Sequence, residues 1–204
     1  MVPFYGVVLI SSDAPNKIHL CKTLNEDLEE VSLNKDDSDR TLDKVSLNFV
    51  DWINIMGEES AKAQLLKLPI TTSEKFINLS KSYSPVKQVD EIYILVQIDK
   101  FDTKTEVSPL GFMRIGQRRL FLDKNNVLTP VNDCFSILDF YIISQRQGYG
   151  FILFSEILSL SKRNAVKCAY DKPSPAMLSF LKKNFALQKP LTQHNHYVIF
   201  EGFF

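Results

Sequence analysis

The chain has 204 residues, which is long enough for one domain with a substantial hydrophobic core. Its formal net charge is zero, which argues against a broad basic surface for nucleic acid. The three cysteines are scattered and form no cluster with the histidines, so no metal site is predicted. The apolar residues 1–10 are too short to span a bilayer, so they are interpreted as a first strand and no membrane partner is expected.

Residues 24–44 differ most from the rest of the chain in composition. This segment contains eight acidic side chains and only three basic ones, Lys35, Arg40 and Lys44. Such a segment does not bury enough apolar surface to offset the entropy of ordering. We therefore predict a flexible, solvated loop or a frayed helix, with a contact to a basic partner as the alternative.

Apolar residues recur at helical spacing from about Asp43 to Gln64. This pattern predicts a helix that Gly57 divides into two pieces. Pro69 ends the helical region because its ring is incompatible with a helix interior. Residues 72–80 are predicted to form a further short helix.

The remainder of the chain is predicted to mix strands and helices. Strands are expected at residues 93–98, 110–115, 119–122, 136–142, 166–170 and 197–200. Helices are expected at 148–163 and from Ser174-Pro175 to about Phe185, with the serine as N-cap. Gly116-Gln117 is expected to form a hairpin corner and Lys124–Asn126 a turn. This order indicates an α/β (α+β) protein with a mixed sheet.

The hexapeptide Gln145–Gly150 joins an apolar strand directly to a helix. Glycine lets the backbone approach an anion, and the first free N–H groups of a helix point at it. The spacing Gln-Arg-x-Gly-x-Gly fits neither a phosphate-binding Walker loop nor the dinucleotide fingerprint with its third glycine. It resembles the acetyl-CoA loop of GCN5-related N-acetyltransferases. A tight turn that requires two glycines is the alternative interpretation.

Four sequence blocks, in order, resemble the alpha-tubulin N-acetyltransferase family. The blocks are Gly111–Gly116 with Leu120-Phe121, Ile137–Tyr141 with the hexapeptide loop, Asp171–Ser174 with Leu181 and Lys183, and Val198–Phe204. Upstream, Ser60–Gln64 and Pro69–Thr71 also match. The resemblance extends from about residue 45 to the end, and the first 44 residues match weakly.

The resemblance implies a single N-acetyltransferase domain spanning residues 1–204. The implied fold is a mixed, mostly antiparallel twisted sheet with helices on both faces and a splayed central strand pair. The implied activity is transfer of acetyl from acetyl-CoA to a lysine of alpha-tubulin in microtubules, by a cytoplasmic monomer without a metal. A catalytically weak or inactive paralogue that binds acetyl-CoA or microtubules is the alternative, and acetylation of another amine is a third hypothesis.

Site residues are carried over from the family by position. Asp171 is expected to be the catalytic base, although an Asp in a turn is favoured when the resemblance is set aside. Ser136 stands at the family's cysteine position, and Gln64 is expected to support the site by hydrogen bonding. The residues expected to bind acetyl-CoA are Phe140, Tyr141, Ile142, Gln145, Arg146, Gln147, Gly148, Tyr149, Gly150, Ser174 and Lys183.

The chain also departs from the family pattern around the central strand. The loop before Gln145 is two residues shorter than in the family. A strand shifted by two residues keeps its side chains on the same face and would bring Cys134 to the catalytic position. That shift would break the match at Asp139, so Ser136 with a shortened loop is favoured.

Further departures affect charge. Phe151 and Ala176 replace family cations near the phosphates, and Lys172, Lys182 and Lys183 are candidates to compensate. Arg114, Arg118 and Arg119 are interpreted either as a surface for acidic tubulin or, more simply, as a solvated strand face.

Overall fold

The structure, a computed structural model, describes residues 4–24, 35–79, 89–101 and 104–204. In chain order the elements are β1 (Phe4–Ser11), β2 (Ala14–Leu24), α1 (Lys35–Ala63), α2 (Ser73–Leu79), β3 (Asp90–Phe101), β4 (Lys104–Lys124), β5 (Val127–Ile142), α3 (Tyr149–Leu160), β6 (Ala169–Asp171), α4 (Pro175–Phe185), β7 (Pro190–Thr192) and β8 (Tyr197–Phe200). The strands form one sheet in the order β2-β1-β3-β4-β5-β6-β8-β7. Neighbouring strands are antiparallel except β5 and β6, which confirms the predicted mixed sheet.

Helices cover both faces of this sheet, and we name the faces after them. On the α1 face, apolar side chains of β1, β3 and β4 pack with Phe49, Ile53 and Met56 of α1 and with Phe76 of α2. On the α3 face, a second core joins the same sheet to α3 and α4. Because β5 is buried on both faces, its central residues 134–139 form an uninterrupted buried run, as the apolar sequence predicted.

The helix predicted in two pieces is one continuous helix, α1. Gly57 does not interrupt it; a Cβ at this position would approach the carbonyl oxygen of Thr71 to 2.0 Å. The glycine therefore permits close contact between α1 and the segment before α2. Residues 35–44 of the acidic segment form the first turns of α1, whereas residues 25–34 lie outside the described residues.

The hairpin corner predicted at Gly116-Gln117 is wrong, since both residues lie inside the continuous strand β4. A Cβ at Gly116 would come within 2.4 Å of Arg118 Nη1 and of Asp90 Oδ1. The absence of a side chain thus leaves room for Arg118 to reach across the strand. A glycine between two strand-like segments can therefore mark a close contact inside one strand as well as a turn.

The turn predicted at Lys124–Asn126 is confirmed, and it joins β4 to β5. Asn125 and Asn126 have φ angles of 55° and 64°, in the left-handed region that tight hairpin turns require. Asparagine tolerates this conformation better than most residues. The β4–β5 hairpin places the middle of β5 beside Gly111–Gly116.

Element boundaries in the last third differ slightly from those predicted. The predicted helix at the Ser174-Pro175 dipeptide is confirmed, and Ser174 Oγ accepts a hydrogen bond from the backbone N–H of Met177. The strand predicted from residue 166 begins only at Ala169, because residues 165–167 form a 3₁₀ turn. The short strand β6 pairs with β5 through Ala169 and Tyr170 and ends at Asp171.

Candidate active site

The candidate site is a cleft where β5 and β6 diverge. The two parallel strands pair only at Ser136–Ala169 and Ile137–Tyr170. Beyond these pairs the strands separate, as the predicted splay requires. The cleft is lined by Gln64, Ile137, Leu138, Asp139, Phe140, Tyr170, Asp171, Lys172, Pro173, Ser174 and Met177. The structure thus brings together Gln64, Phe140, Asp171 and Ser174 of the predicted site.

Asp171 lies at the end of β6, opposite Tyr197 of β8. Its side chain is partly buried, and this burial raises the pKa of the carboxyl group above its usual value. The positive charges of Lys172 and Arg118 oppose that rise most strongly, and those of His196 and Arg114 oppose it less. A raised pKa suits a general base, because a stronger base accepts a proton more readily near neutral pH.

Gln64 follows the last turn of α1 and points from the α1 face into the same cleft. Its Nε2 donates hydrogen bonds to Ser60 Oγ at 2.9 Å and to Asp139 Oδ1 at 3.2 Å. The predicted role of Gln64 as a hydrogen-bonding group is therefore compatible with its position. Gln64 is more than an exposed helix residue, since it is tied to the strand that borders the cleft.

Asp139 is a site residue that sequence reasoning did not assign a role. Its side chain is 5% exposed and accepts hydrogen bonds from Ser60 Oγ and Thr71 Oγ1, both at 2.8 Å, and from Gln64. Burial raises the pKa of Asp139, while the three hydrogen bonds and the charge of Arg114 oppose the rise. The sequence did contain a signal for Asp139, because it is a single acidic residue inside an otherwise apolar strand. A buried carboxylate of this kind normally requires dedicated hydrogen-bond partners.

The three arginines of β4 do not form one solvated face. Arg114 and Arg118 both pair with the fully buried carboxylate of Asp90, at 2.7 and 2.6 Å. Arg114 also donates to the carbonyl oxygen of Ile70 at 3.2 Å. Only Arg119 is exposed, and it lies over the ring of Phe121. Two of the three predicted surface cations are therefore internal ion-pair partners.

Ser136 is fully buried on β5, at the first of the two positions that pair with β6. Its Oγ donates a hydrogen bond to the carbonyl oxygen of Cys134 at 3.0 Å, and it is not among the residues that line the cleft. The structure therefore does not bring the Ser136 hydroxyl together with Asp171 and Gln64 in the cleft wall. A catalytic role for Ser136 stays a prediction.

Cys134 is the alternative to Ser136, since a two-residue shift of β5 would bring it to the catalytic position. In the structure it is buried with Leu120, Ala169 and Ile199, and β5 pairs Arg114 with Asp139 and Gly116 with Ser136. Burial raises the pKa of the Cys134 thiol to about 11, which disfavours a thiolate at neutral pH. The observed register therefore supports the unshifted alignment of the strand.

The predicted anion loop lies between β5 and α3, at the carboxyl end of β5. Gln145, Arg146, Gln147 and Gly148 are exposed, while Tyr149 and Gly150 begin the helix. Arg146 and Gly148 have φ angles of 64° and 84°, and nothing lies within 4 Å of where a Gly148 Cβ would be. These backbone turns and the open space beside the glycine suit an anion at the start of α3.

The other predicted cofactor residues surround this loop. Phe140, Tyr141 and Ile142 form the last residues of β5, and their side chains alternate between the two faces. Ser174 caps α4 and lines the cleft, and Lys183 is exposed near the other end of that helix. The acetyl-CoA-binding role of each stays a prediction.

Phe151 occupies the first turn of α3, where the family has a cation. It is 41% exposed, and its ring lies 5.9 Å from that of Phe185. Phe185 in turn packs on Phe154 and Phe180, and both of these contact Phe140. Phe151 therefore extends a cluster of five phenylalanines that joins α3 and α4 to β5.

No group of three His, Cys, Asp or Glu side chains in the described part of the chain is arranged to hold a metal ion. No helix among those residues combines the length and the apolar character needed to cross a membrane.

Comparison with known proteins identifies the family. The family model described as GNAT acetyltransferase, Mec-17, matches residues 16–204, beginning well before the predicted start near residue 45. An alpha-tubulin N-acetyltransferase of Tetrahymena thermophila is 35% identical over 156 residues, covering 74% of this chain and 34% of the relative. Alpha-tubulin N-acetyltransferase 1 of Danio rerio is 32% identical over 154 residues, covering 74% of this chain and 48% of the relative.

A third relative, alpha-tubulin N-acetyltransferase 2 of Drosophila melanogaster, is 34% identical over 162 residues, which is 78% of this chain and 52% of the relative. The chain thus spans about half or less of the length of these relatives. The family model, in contrast, covers the sheet from β2 onward, the cleft and the anion loop. This chain therefore belongs to the Mec-17 family of GNAT acetyltransferases, as the sequence blocks predicted.

Proposed function

We propose that this chain transfers an acetyl group from acetyl-CoA to a lysine side chain of alpha-tubulin in microtubules. The observation that carries the proposal is the cleft between β5 and β6, which holds the partly buried carboxylate of Asp171 opposite Gln64. The family supports the reaction class, and the relatives named for alpha-tubulin support the substrate. We further propose that the chain acts in the cytoplasm, on the microtubule, as a monomer.

The residues around the cleft fit acetyl-CoA, which supplies an acetyl thioester when bound. Gly148 leaves open space at the start of α3, where backbone N–H groups attract the pyrophosphate. Arg146 and Lys183 are exposed cations on the elements that flank this point. Phe140 lies between the loop and the cleft, where it would contact the chain that links pyrophosphate to thioester.

Asp171 is the proposed base. Free lysine has a pKa of about 10.4, so only about one amine in 10³ is neutral at pH 7. Asp171 accepts the ammonium proton, directly or through one water, and the neutral nitrogen then bonds to the acetyl carbon as the carbon–sulfur bond breaks. On forming the amide the nitrogen loses a second proton, and the departing sulfur takes up this proton to become the CoA thiol, so atoms and charges balance.

The diverging strands supply the second element of catalysis. Beyond Ile137, β5 pairs with β4 on one side and has no ladder to β6 among the described residues. Backbone N–H groups exposed in this way can stabilise the negative charge that develops on the carbonyl oxygen. A fixed strand is well suited to this role, since its amides need no reorganisation during the reaction.

A weak or inactive binding protein of the same fold is the second candidate. The observation that favours it is Ser136, a buried hydroxyl committed to the carbonyl oxygen of Cys134 at the family's cysteine position. This candidate predicts acetyl-CoA binding without turnover. The first candidate places the proton transfer from the amine on Asp171, with the catalytic role of Ser136 kept as a prediction.

An acetylation assay on assembled microtubules distinguishes the two candidates. Wild type, Asp171→Asn and the matched control Asp51→Asn, an exposed change on α1, are compared by mass spectrometry of alpha-tubulin, with acetyl-CoA binding measured by calorimetry. We expect activity in wild type and Asp51→Asn, and binding without activity in Asp171→Asn. Binding without acetylation in wild type would support the second candidate and exclude the first.

A further inference from the structure

A closed ring of hydrogen bonds connects Gln64 to the wall of the cleft. Gln64 Nε2 donates to Ser60 Oγ at 2.9 Å, Ser60 Oγ donates to Asp139 Oδ1 at 2.8 Å, and Gln64 Nε2 also donates to Asp139 Oδ1 at 3.2 Å. Ser60 and Asp139 are 1% and 5% exposed, so water does not compete for these bonds. Every link of the ring has a defined donor and a defined acceptor.

The ring permits only one orientation of the Gln64 amide. The N–H donors of a glutamine amide are all on Nε2, and here Nε2 faces both acceptor oxygens, Ser60 Oγ and Asp139 Oδ1. A flipped amide would place Oε1 against the Asp139 carboxylate and against a serine oxygen whose only hydrogen is already donated. Both contacts would then be repulsive, so Asp139 determines the direction of the amide.

The Gln64 carbonyl oxygen is consequently left for the cleft. Among the described residues, none donates a hydrogen bond to Gln64 Oε1, although Gln64 lines the cleft together with Asp171. A carbonyl oxygen accepts hydrogen bonds and does not titrate. It can therefore hold an N–H of the incoming amine without removing the proton that Asp171 must accept.

We propose that Asp139 is a positioning residue for amine transfer, which through Ser60 fixes Gln64 so that its Oε1 orients the attacking lysine nitrogen. This role rests on the proposed function. Thr71 provides an internal reference, because its Oγ1 donates to Asp139 Oδ2 at the same 2.8 Å, whereas the hydrogen bonds of the Gln64 amide go to Ser60 and Asp139. Ser60 and Thr71 thus support the same carboxylate, and only Ser60 belongs to the ring.

The matched variants are Ser60→Ala and Thr71→Val. Each removes one buried hydroxyl donor to Asp139, so we expect similar decreases in melting temperature. Ser60→Ala is expected to lower kcat about tenfold, with the KM for acetyl-CoA within about twofold, because misplacement of a reacting group lowers the rate steeply. Thr71→Val is expected to lower kcat by less than about threefold. Equal losses of kcat in the two variants would overturn the proposal.

A double-mutant cycle with Gln64→Ala tests whether the effect passes through Gln64. Ser60→Ala should cause no further loss of kcat in the Gln64→Ala background, since the group it positions is already absent. Additive losses would show that Ser60 acts elsewhere and would overturn the positioning role while wild-type acetylation stands. Wild type without acetylation on microtubules would overturn the proposed function itself.

An NMR measurement further distinguishes failure of the positioning role from failure of the proposed function. The Gln64 side-chain amide, assigned in ¹⁵N NMR spectra by its loss in Gln64→Ala, should exchange slowly with water in wild type and Thr71→Val. It should exchange rapidly in Ser60→Ala. Rapid exchange in wild type would overturn the ring, whatever the acetylation assay shows.

Discussion

The two faces of the sheet differ in the buried groups that predominate, although β3, β4 and β5 contribute to both, α3 also buries Glu156, and the α1 face also contains Phe49 and Phe76 in contact. The α1 face contains buried carboxylates, Asp90 and Asp139, each with dedicated partners among apolar side chains. The α3 face contains five phenylalanines in mutual contact: Phe140, Phe151, Phe154, Phe180 and Phe185. Alternation along β5 makes this possible, since Asp139 and Phe140 are adjacent and lie on opposite faces.

This difference shows how the domain separates chemistry from stability. Buried ion pairs and carboxylates contribute little net stability, because desolvation offsets their attraction. Burial of aromatic surface is strongly favourable, and it fixes α3 and α4 against the sheet. We therefore expect loss of aromatic surface on the α3 face to lower global stability. On the α1 face, we expect changes near the cleft to affect catalysis, and removal of one partner of a buried ion pair to lower stability because the other charge is left unpaired.

The largest expected effect is that of Asp171→Asn. Asp171 lines the cleft together with Gln64, the residue that follows α1. Loss of the base should lower kcat by about 10²- to 10⁴-fold on microtubules, since this is the usual contribution of a positioned acid or base. Stability should not fall. The pKa of Asp171 is raised in the folded protein, so its contribution to stability is lost as pH rises through that pKa. At neutral pH, Asn should therefore leave the melting temperature unchanged or slightly higher.

The same raised pKa predicts a specific pH profile. Wild-type kcat/KM should fall on the acid side as Asp171 becomes protonated, at a higher pH than for an ordinary aspartate. Arg118→Gln should move this acid limb to still higher pH, since one opposing cation is removed. Kinetics from pH 4 to 9 provide the measurement, and an acid limb that does not move would contradict the assignment of Asp171.

The next effect is on the α3 face. Phe154 is fully buried and contacts the rings of Phe140, Phe180 and Phe185, so Phe154→Ala should reduce the free energy of unfolding by about 3–5 kcal/mol. Phe151→Ala is the matched control from the exposed edge of the cluster and should cost about 1 kcal/mol. Denaturant titration measures both, and equal losses would show that the cluster does not stabilise the domain as a unit.

Asp90→Asn tests the buried charges of the α1 face. Removing this carboxylate leaves Arg114 and Arg118 without their shared partner, so the free energy of unfolding should fall by about 3 kcal/mol. The exposed Asp51→Asn should change it by less than about 0.5 kcal/mol. A loss in Asp90→Asn no larger than in this control would mean that the arginines find other partners.

The smallest expected effect concerns the cofactor. Phe151→Lys restores a cation to the first turn of α3, and we expect the Kd for acetyl-CoA to fall about fivefold, or about 1 kcal/mol. The gain is limited because a cation at a helix N-terminus is itself disfavoured. Phe151→Gln controls for loss of the ring, and calorimetry gives both affinities. Identical affinities of the Lys and Gln variants would place the pyrophosphate away from residue 151.

Prediction from the sequence was most successful where a local rule applied. The helix opened by Ser174-Pro175 and the turn at Lys124–Asn126 follow from capping and from left-handed φ angles, and both are confirmed. Prediction was wrong at two glycines, because glycine occurs both where the chain turns and where two segments pack closely. Gly57 and Gly116 had the appearance of a helix break and a turn, but both permit close contacts with Thr71 and Arg118 that no local pattern reveals.

The site was predictable to a similar degree. Sequence motifs predicted Asp171 and Gln64, which line one cleft, and the loop before α3, but they left Asp139, Ser60 and Thr71 without a role. Asp139 is 79 positions from Ser60 and 68 from Thr71 in the chain, and it meets them only because α1 and the segment after it pack on β5. For the same reason the arginines of β4 were interpreted as a surface, whereas two of them pair with Asp90 on the neighbouring strand β3.

The sequence by itself determined the family, the mixed sheet and the glycine loop at the start of α3, because these depend on residue order, periodicity and backbone freedom. Only the tertiary structure decided which polar side chains meet. It buried the Ser136 hydroxyl against the carbonyl oxygen of Cys134 and directed Asp139 toward Gln64. The physical reason is that a buried polar group requires a partner within hydrogen-bond distance, and that partner is selected by packing between distant segments.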